Sequence, residues 1–141
     1  MASPNRKKRV YLVEDHPVVR RAVAALIEEA ADLTLVGTAS SAEEALAALE
    51  RQPCDVLLVD VTLPKMGGIE LVRQVVAGAP VRRCLMLTAH VDPALAAEAL
   101  GAGARGYVVK DDADGLLAAI RRVLAGEVVV SEPARPWQPR P

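Results

Sequence analysis

Glu14, Asp15, Asp60, Thr88 and Lys110 are widely spaced, yet each closes or follows a short apolar run. Asp60 is the clearest case, because Leu57-Leu58-Val59 leads into it and Val61-Thr62-Leu63-Pro64 follows. An apolar, partly β-branched run of this kind predicts a strand buried on both faces. A carboxylate at the carboxyl end of such a strand lies where open α/β sheets place their chemistry. Three carboxylates gathered in one small site repel one another and raise one another's pKa. A divalent cation relieves that conflict. Oxygen ligands without His or Cys select Mg²⁺, with Mn²⁺ as the alternative, over zinc. A carboxylate can attack phosphorus and form an acyl phosphate. In phosphoryl transfer the protein chiefly positions groups and neutralises charge. The expected roles are therefore Asp60 as nucleophile, Lys110 as a point charge on one phosphoryl oxygen, and the Thr88 hydroxyl as donor to another.

For these side chains to meet, parallel strands must bring their carboxyl ends to one edge. The pattern supplies them. Residues 9–13 read as a first strand that Glu14-Asp15-His16-Pro17 ends, with Pro17 placed to open a helix. That helix runs to about residue 30, and Val19, Val23, Leu26, Ile27 and Ala30 fall on one face. Residues 33–38 form a second strand interrupted by Gly37, and residues 41–51 a second helix with the capping-box pair Ser41 and Glu44. The third strand is 55–59. The third helix, 69–77, is closed by Gly78 and Pro80. The fourth strand is 82–87, and Asp92-Pro93 caps a fourth helix to about residue 100. The fifth strand is 105–109. Asp111 or Asp112 caps a fifth helix to about residue 125, with Gly126 as its C′ residue. Residues 128–130 read as a short extra strand or an extended lead-out. Alternating strands and helices predict a parallel sheet with helices on both faces.

The chain of 141 residues has the length of one domain and, at 52% hydrophobic, enough apolar residues for a real core. Aromatics make up 2% with no Phe, so Val, Leu, Ile and Ala must build that core. A net charge of −1 argues against a general nucleic-acid binder. The run Arg6-Lys7-Lys8-Arg9 is expected to flank the first strand in water. Cys54 and Cys84 read as buried reduced thiols. No apolar run approaches the ~18 residues of a membrane span. The basic start lacks a signal peptide's apolar segment, which implies a cytoplasmic protein without a membrane partner. The expected division is a basic tail at 1–7, the globular unit at 8–130, and a tail or linker start at 131–141. There Pro133, Pro136, Pro139 and Pro141 exclude a helix or central strand.

Glu14-Asp15, Asp60 with Pro64 and Gly68, Leu85-Met86-Leu87-Thr88-Ala89, and Gly101 through Lys110 together resemble the receiver domain of two-component response regulators. The resemblance covers residues 8–131, and Asp15-His16-Pro17 with Lys110-Asp111 looks most like the NarL/FixJ type. It implies a (βα)5 doubly wound, flavodoxin-like α/β fold with strand order 2-1-3-4-5. It implies Asp60 as phosphoacceptor in a phosphorylation-activated switch. Mg²⁺ would be held by Asp15 and Asp60, by Glu14 through water, and by the Thr62 backbone carbonyl. Thr88 and Lys110 would contact the phosphoryl group, and Tyr107 would be an aromatic whose rotamer follows Thr88. Thr62 and His90 would flank the path of the hydrolytic water and tune dephosphorylation to an intermediate lifetime.

The implied donor is a sensor histidine kinase or phosphotransfer protein. The implied chemistry is self-catalysed phosphoryl acceptance and slow loss, not turnover as an enzyme. The output face would be the fourth helix, fifth strand and fifth helix, with Leu95, Leu100, Tyr107, Leu116 and Arg121, and this face is the expected homodimer contact. The chain reads either as a stand-alone receiver or as the receiver part of a transcriptional regulator. DNA enters as a partner only through a C-terminal helix-turn-helix domain. Three positions depart from the family pattern. Gly67 replaces Asp or Asn, Glu14 replaces Asp, and Asp111 replaces the Pro after the Lys, so no cis bond is expected there. A flavodoxin-like nucleotide or flavin binder would need Gly, Ser or Thr after the first strand to cradle phosphate, where this chain has Glu14-Asp15. An aspartyl-phosphate hydrolase would need a carboxylate where Thr62 stands. A degenerate scaffold would lack one of the five polar residues, and none is missing.

Overall fold

The computed structural model describes residues 6–78, 83–89, 92–110 and 112–131. The elements follow in order: β1 (Lys8–Val13), α1 (Pro17–Glu29), β2 (Leu33–Ala39), α2 (Ala42–Leu49), β3 (Val56–Asp60), α3 (Gly68–Gly78), β4 (Cys84–Thr88), α4 (Pro93–Gly101), β5 (Gly106–Val109), α5 (Ala113–Leu124) and β6 (Val129–Val130). Every pairing is parallel, and the sheet order is β2-β1-β3-β4-β5-β6. The expected order thus holds across five strands. A sixth is added at the β5 edge, which decides for a strand over a lead-out at residues 128–130.

The strands alternate between two cores, as the period-2 geometry of a strand requires. Val10, Leu12, Val56, Leu58, Leu85, Leu87 and Val108 join the core under α1 and α5. Tyr11, Val13, Leu57, Val59, Cys84, Met86 and Tyr107 join the core under α2, α3 and α4. Aliphatic residues dominate both, as the shortage of aromatics demands. Cys54 and Cys84 are buried and unbridged, and burial pushes each thiol up to about 12. Arg9 does not simply flank β1 in water, because Asp55 takes its guanidinium at 3.3 Å.

The helix ends are set by local chemistry. Pro17 occupies the first turn of α1. The Ser41 hydroxyl accepts from Glu44 N at 3.1 Å. The return half of the capping box falls one residue earlier, since the Glu44 carboxylate takes the main-chain N and hydroxyl of Ser40 at 3.3 and 3.0 Å. Asp92 and Asp112 cap α4 and α5. At the end of α5, Gly126 adopts φ +96°, Gly126 N donates to Val123 O, and Glu127 N donates to Arg122 O. That is the Schellman pattern, and it turns the chain back toward the sheet as β6. No helix among the described residues is long and apolar enough to cross a membrane.

Candidate functional site

The sheet reverses direction of winding at β1, whose neighbours are β2 and β3. Ligands of open α/β sheets bind beyond the carboxyl ends of the strands at such a switch point. Glu14 leaves β1 there and Asp60 ends β3. Glu14, Asp15 and Asp60 each offer a carboxylate oxygen within 4.8 Å of the others. Continued past the strand ends, the alternation Val10-Leu12-Glu14, Val56-Leu58-Asp60 and Val108-Lys110 explains why these three polar groups share one side. Lys110 Nζ lies 2.7 Å from Glu14 Oε1 and 3.2 Å from Asp60 Oδ2.

The main chain holds these groups in place. Glu14 N donates to Ala39 O at 2.9 Å, His16 N to Glu14 Oε2 at 3.1 Å, and Arg20 Nη1 to Glu14 O at 3.0 Å. Thr62 N donates to Asp60 Oδ1 at 3.1 Å and aims the carboxylate. Lys110 N donates to Thr88 O at 2.9 Å, so the ends of β4 and β5 are tied together beside the site. Among the described residues Glu14, Asp60 and Thr88 are the buried polar ones, at 0, 4 and 6% exposure, while Asp15 and Lys110 are half-buried and Thr62 is exposed. Burial pushes the Asp60 carboxyl up to about 7, with Glu14 adding to the rise while the Thr62 amide and Lys110 oppose it. Burial pulls the Lys110 ammonium down, but Glu14 and Asp60 outweigh that effect and hold it above its usual value. One ammonium against three carboxylates leaves the cluster short of positive charge. A hard divalent cation fits this donor set.

Two further residues shape the site: Arg20, which sequence reasoning passed over, and Gly68, which it quoted for the resemblance without giving it a role. Arg20 clamps the Glu14 carbonyl. Its signal was only its place one turn into a helix whose start Pro17 fixes. At Gly68 a Cβ would run into the Asp60 carbonyl oxygen. The Gly67-Gly68 pair marked a turn, but nothing local says which glycine faces β3. At Gly67 a Cβ would meet open space. The departure at Gly67 leaves the start of α3 one residue earlier than expected, at Gly68.

Tyr107 is fully buried, and its phenol oxygen has no hydrogen-bond partner among the described residues. Part of the expected output face is corrected. Leu116 lies in the core under α1 and α5, because its apolar stripe with Ile120 and Val123 faces the sheet. Arg121 turns to the start of β2, where Asp32 binds it at 2.9 and 3.0 Å. Leu95 and Leu100 remain half-buried on α4. His90 and Asp111 lie outside the described residues, as do 1–5 and 132–141.

Residues 10–121 match the family model of the response regulator receiver domain. Among relatives, the DNA-binding transcriptional activator DevR/DosR of Mycobacterium tuberculosis is 44% identical over 73% of this chain and 48% of its own length. The nitrate/nitrite response regulator protein NarL of Escherichia coli is 34% identical over 90% of this chain and 59% of its own. The chain thus spans about half the length of the relatives it matches. Among solved structures, a two-component response regulator of the LuxR family from Aurantimonas sp. SI85-9A1 superposes with a TM-score of 0.83 at 37% identity, covering 91% of this chain and 92% of that one.

Proposed function

This chain belongs to the response regulator receiver domain family, and from that premise we propose that Asp60 is the phosphoacceptor of a two-component switch. Receiver domains of this kind are signalling proteins activated by phosphorylation. The observation that carries the reading is the buried cluster of Glu14, Asp15 and Asp60, closed by Lys110 at 2.7 and 3.2 Å. In the proposed step an Asp60 carboxylate oxygen attacks the phosphorus of a phosphohistidine on a kinase or phosphotransfer partner. A P–O bond forms, the P–N bond breaks, and the electron pair returns to the imidazole nitrogen, which takes up a proton. Lys110 balances charge on the transferred group, and the Thr88 hydroxyl donates to it. Hydrolysis of the acyl phosphate returns phosphate and the carboxylate, and Thr62 and His90 tune its rate.

Glu14, Asp15, Asp60 and the Thr62 carbonyl are the groups that would hold Mg²⁺. Bound there, the cation supplies countercharge to the carboxylates and to phosphoryl oxygens. The switch unit is proposed to span 8–130. Thr88 and Tyr107 are proposed to carry the change to α4, β5 and α5, where the half-buried Leu95 and Leu100 are candidates for a dimer contact. Control of DNA would require a further domain, as in regulators that bind it.

Acetyl phosphate as donor tests the core of this reading. The chain is expected to gain one phosphoryl group only when Mg²⁺ or Mn²⁺ is present, and Asp60→Asn is expected to gain none. Labelling that survives in Asp60→Asn would place the acceptor elsewhere.

A further inference from the structure

The strands stand in the order β3, β4, β5, β6, and each ends beside the site or next to a residue that does. Asp60 closes β3, Thr88 closes β4, Val109-Lys110 ends β5, and Ser131 follows β6. β6 is a two-residue strand at the outer edge of β5. Val129 N donates to Arg105 O at 3.0 Å and Ser131 N to Tyr107 O at 2.9 Å. The last rung is made by a side chain: Val109 N donates to the Ser131 hydroxyl at 3.4 Å. The ladder cannot run further, because the donors facing β5 are residues 129 and 131. The next position of that parity is Pro133, which has no N–H. β6 is thus a short strand that ends on a long hydroxyl rung, and sequence chemistry keeps it short.

The rung at Ser131 is also the one nearest the chemistry. Val109 pairs with Thr88 across the sheet, and the adjacent Lys110 bonds Thr88 O through its amide and Asp60 through its ammonium. We propose that β6 with Ser131 is a phosphorylation-responsive edge strand, docked on β5 when Asp60 is free and released when Asp60 carries a phosphoryl group. The direction follows from strand order. A phosphoryl group on β3 draws Thr88 and Lys110 toward it, so the end of β5 moves inward, away from the outermost strand. The long Val109–Ser131 bond is the first to give. Release uncovers the β5 edge. The inference rests on Asp60 as phosphoacceptor.

Amide hydrogen exchange of the full chain tests it, with acetyl phosphate and Mg²⁺ as the probe and a mass measurement on the same sample. On phosphorylation the Val109, Val129 and Ser131 amides are expected to exchange about fivefold faster, the order that losing one hydrogen bond gives. Amides of β1 and β3 keep their protection. Ser131→Ala is expected to speed Val109 exchange without any phosphoryl donor, and Ser131→Thr, which keeps the hydroxyl, is not. Because coupling is reciprocal, Ser131→Ala also raises the phosphorylated fraction at fixed acetyl phosphate. If Asp60 gains the phosphoryl group and the three amides keep their protection, β6 is not coupled to the site and the inference falls. If Asp60 gains none, it is the reading of the site that falls, taking the inference with it.

Discussion

Asp60 carries a carboxyl that the fold makes unfavourable to ionise. Burial and Glu14 raise it to about 7 from an ordinary value of 3.8. A raised carboxyl contributes stability below its unfolded pKa and loses that contribution as pH climbs through the folded value. The penalty therefore develops between 3.8 and about 7 and is complete above. Asp60→Asn should melt close to the wild type near the lower end of that window and several degrees higher above it. Thermal melts across pH without divalent cation measure this, and a constant difference would refute it. Tyr107 makes a second case at this scale. A buried phenol without a partner costs desolvation and returns no hydrogen bond. Tyr107→Phe should then stabilise the chain by about 1 kcal/mol in urea unfolding, whereas a loss would mean that the hydroxyl is bonded.

The decisive joint between elements is that of β3 with α3. Gly68 N donates to Val61 O at 3.2 Å, and the missing Cβ lets the first turn of α3 lie against the Asp60 carbonyl. Gly68→Ala should cost ~1–3 kcal/mol, as overpacking of a tight contact does, and should shift Asp60 enough to slow labelling by acetyl phosphate. Gly67→Ala, next to it but facing open space, should stay within about 0.5 kcal/mol of wild type. Urea unfolding of the pair separates a packing effect from a general dislike of side chains in this turn. Equal costs at both positions would show that the close approach is not what selects glycine.

At the scale of the molecule, folding itself gathers the three carboxylates and so creates the proposed cation site. A ligand that binds only the folded state stabilises it by mass action. Mg²⁺ at tenfold its dissociation constant should add ~1.4 kcal/mol to the wild type. Asp15→Asn should lose most of that gain, which melting with and without Mg²⁺ reads directly. Periodicity and punctuation in the chain were enough to place all five helices and the parallel sheet, since apolar spacing and capping residues are local signals. They were also enough to align Glu14, Asp15, Asp60, Thr88 and Lys110 at strand ends, because a parallel sheet leaves those ends one common edge. Local signals say nothing about which side of a helix meets which neighbour. Leu116 and Arg121 were therefore misjudged, Arg20 passed unnoticed, and Gly68 was noted without its packing role, although Arg20 and Gly68 each act on the site across a tertiary contact. The same holds for β6. Val128-Val129-Val130 is apolar enough for a strand, but only the turn at Gly126 and the open edge of β5 decided that it became one. Chain chemistry determined which groups exist and at which edge they emerge. Three-dimensional packing decided that Lys110 bridges Glu14 and Asp60 and that Ser131 is bonded to the strand they depend on, because such distances arise only when distant segments share a core.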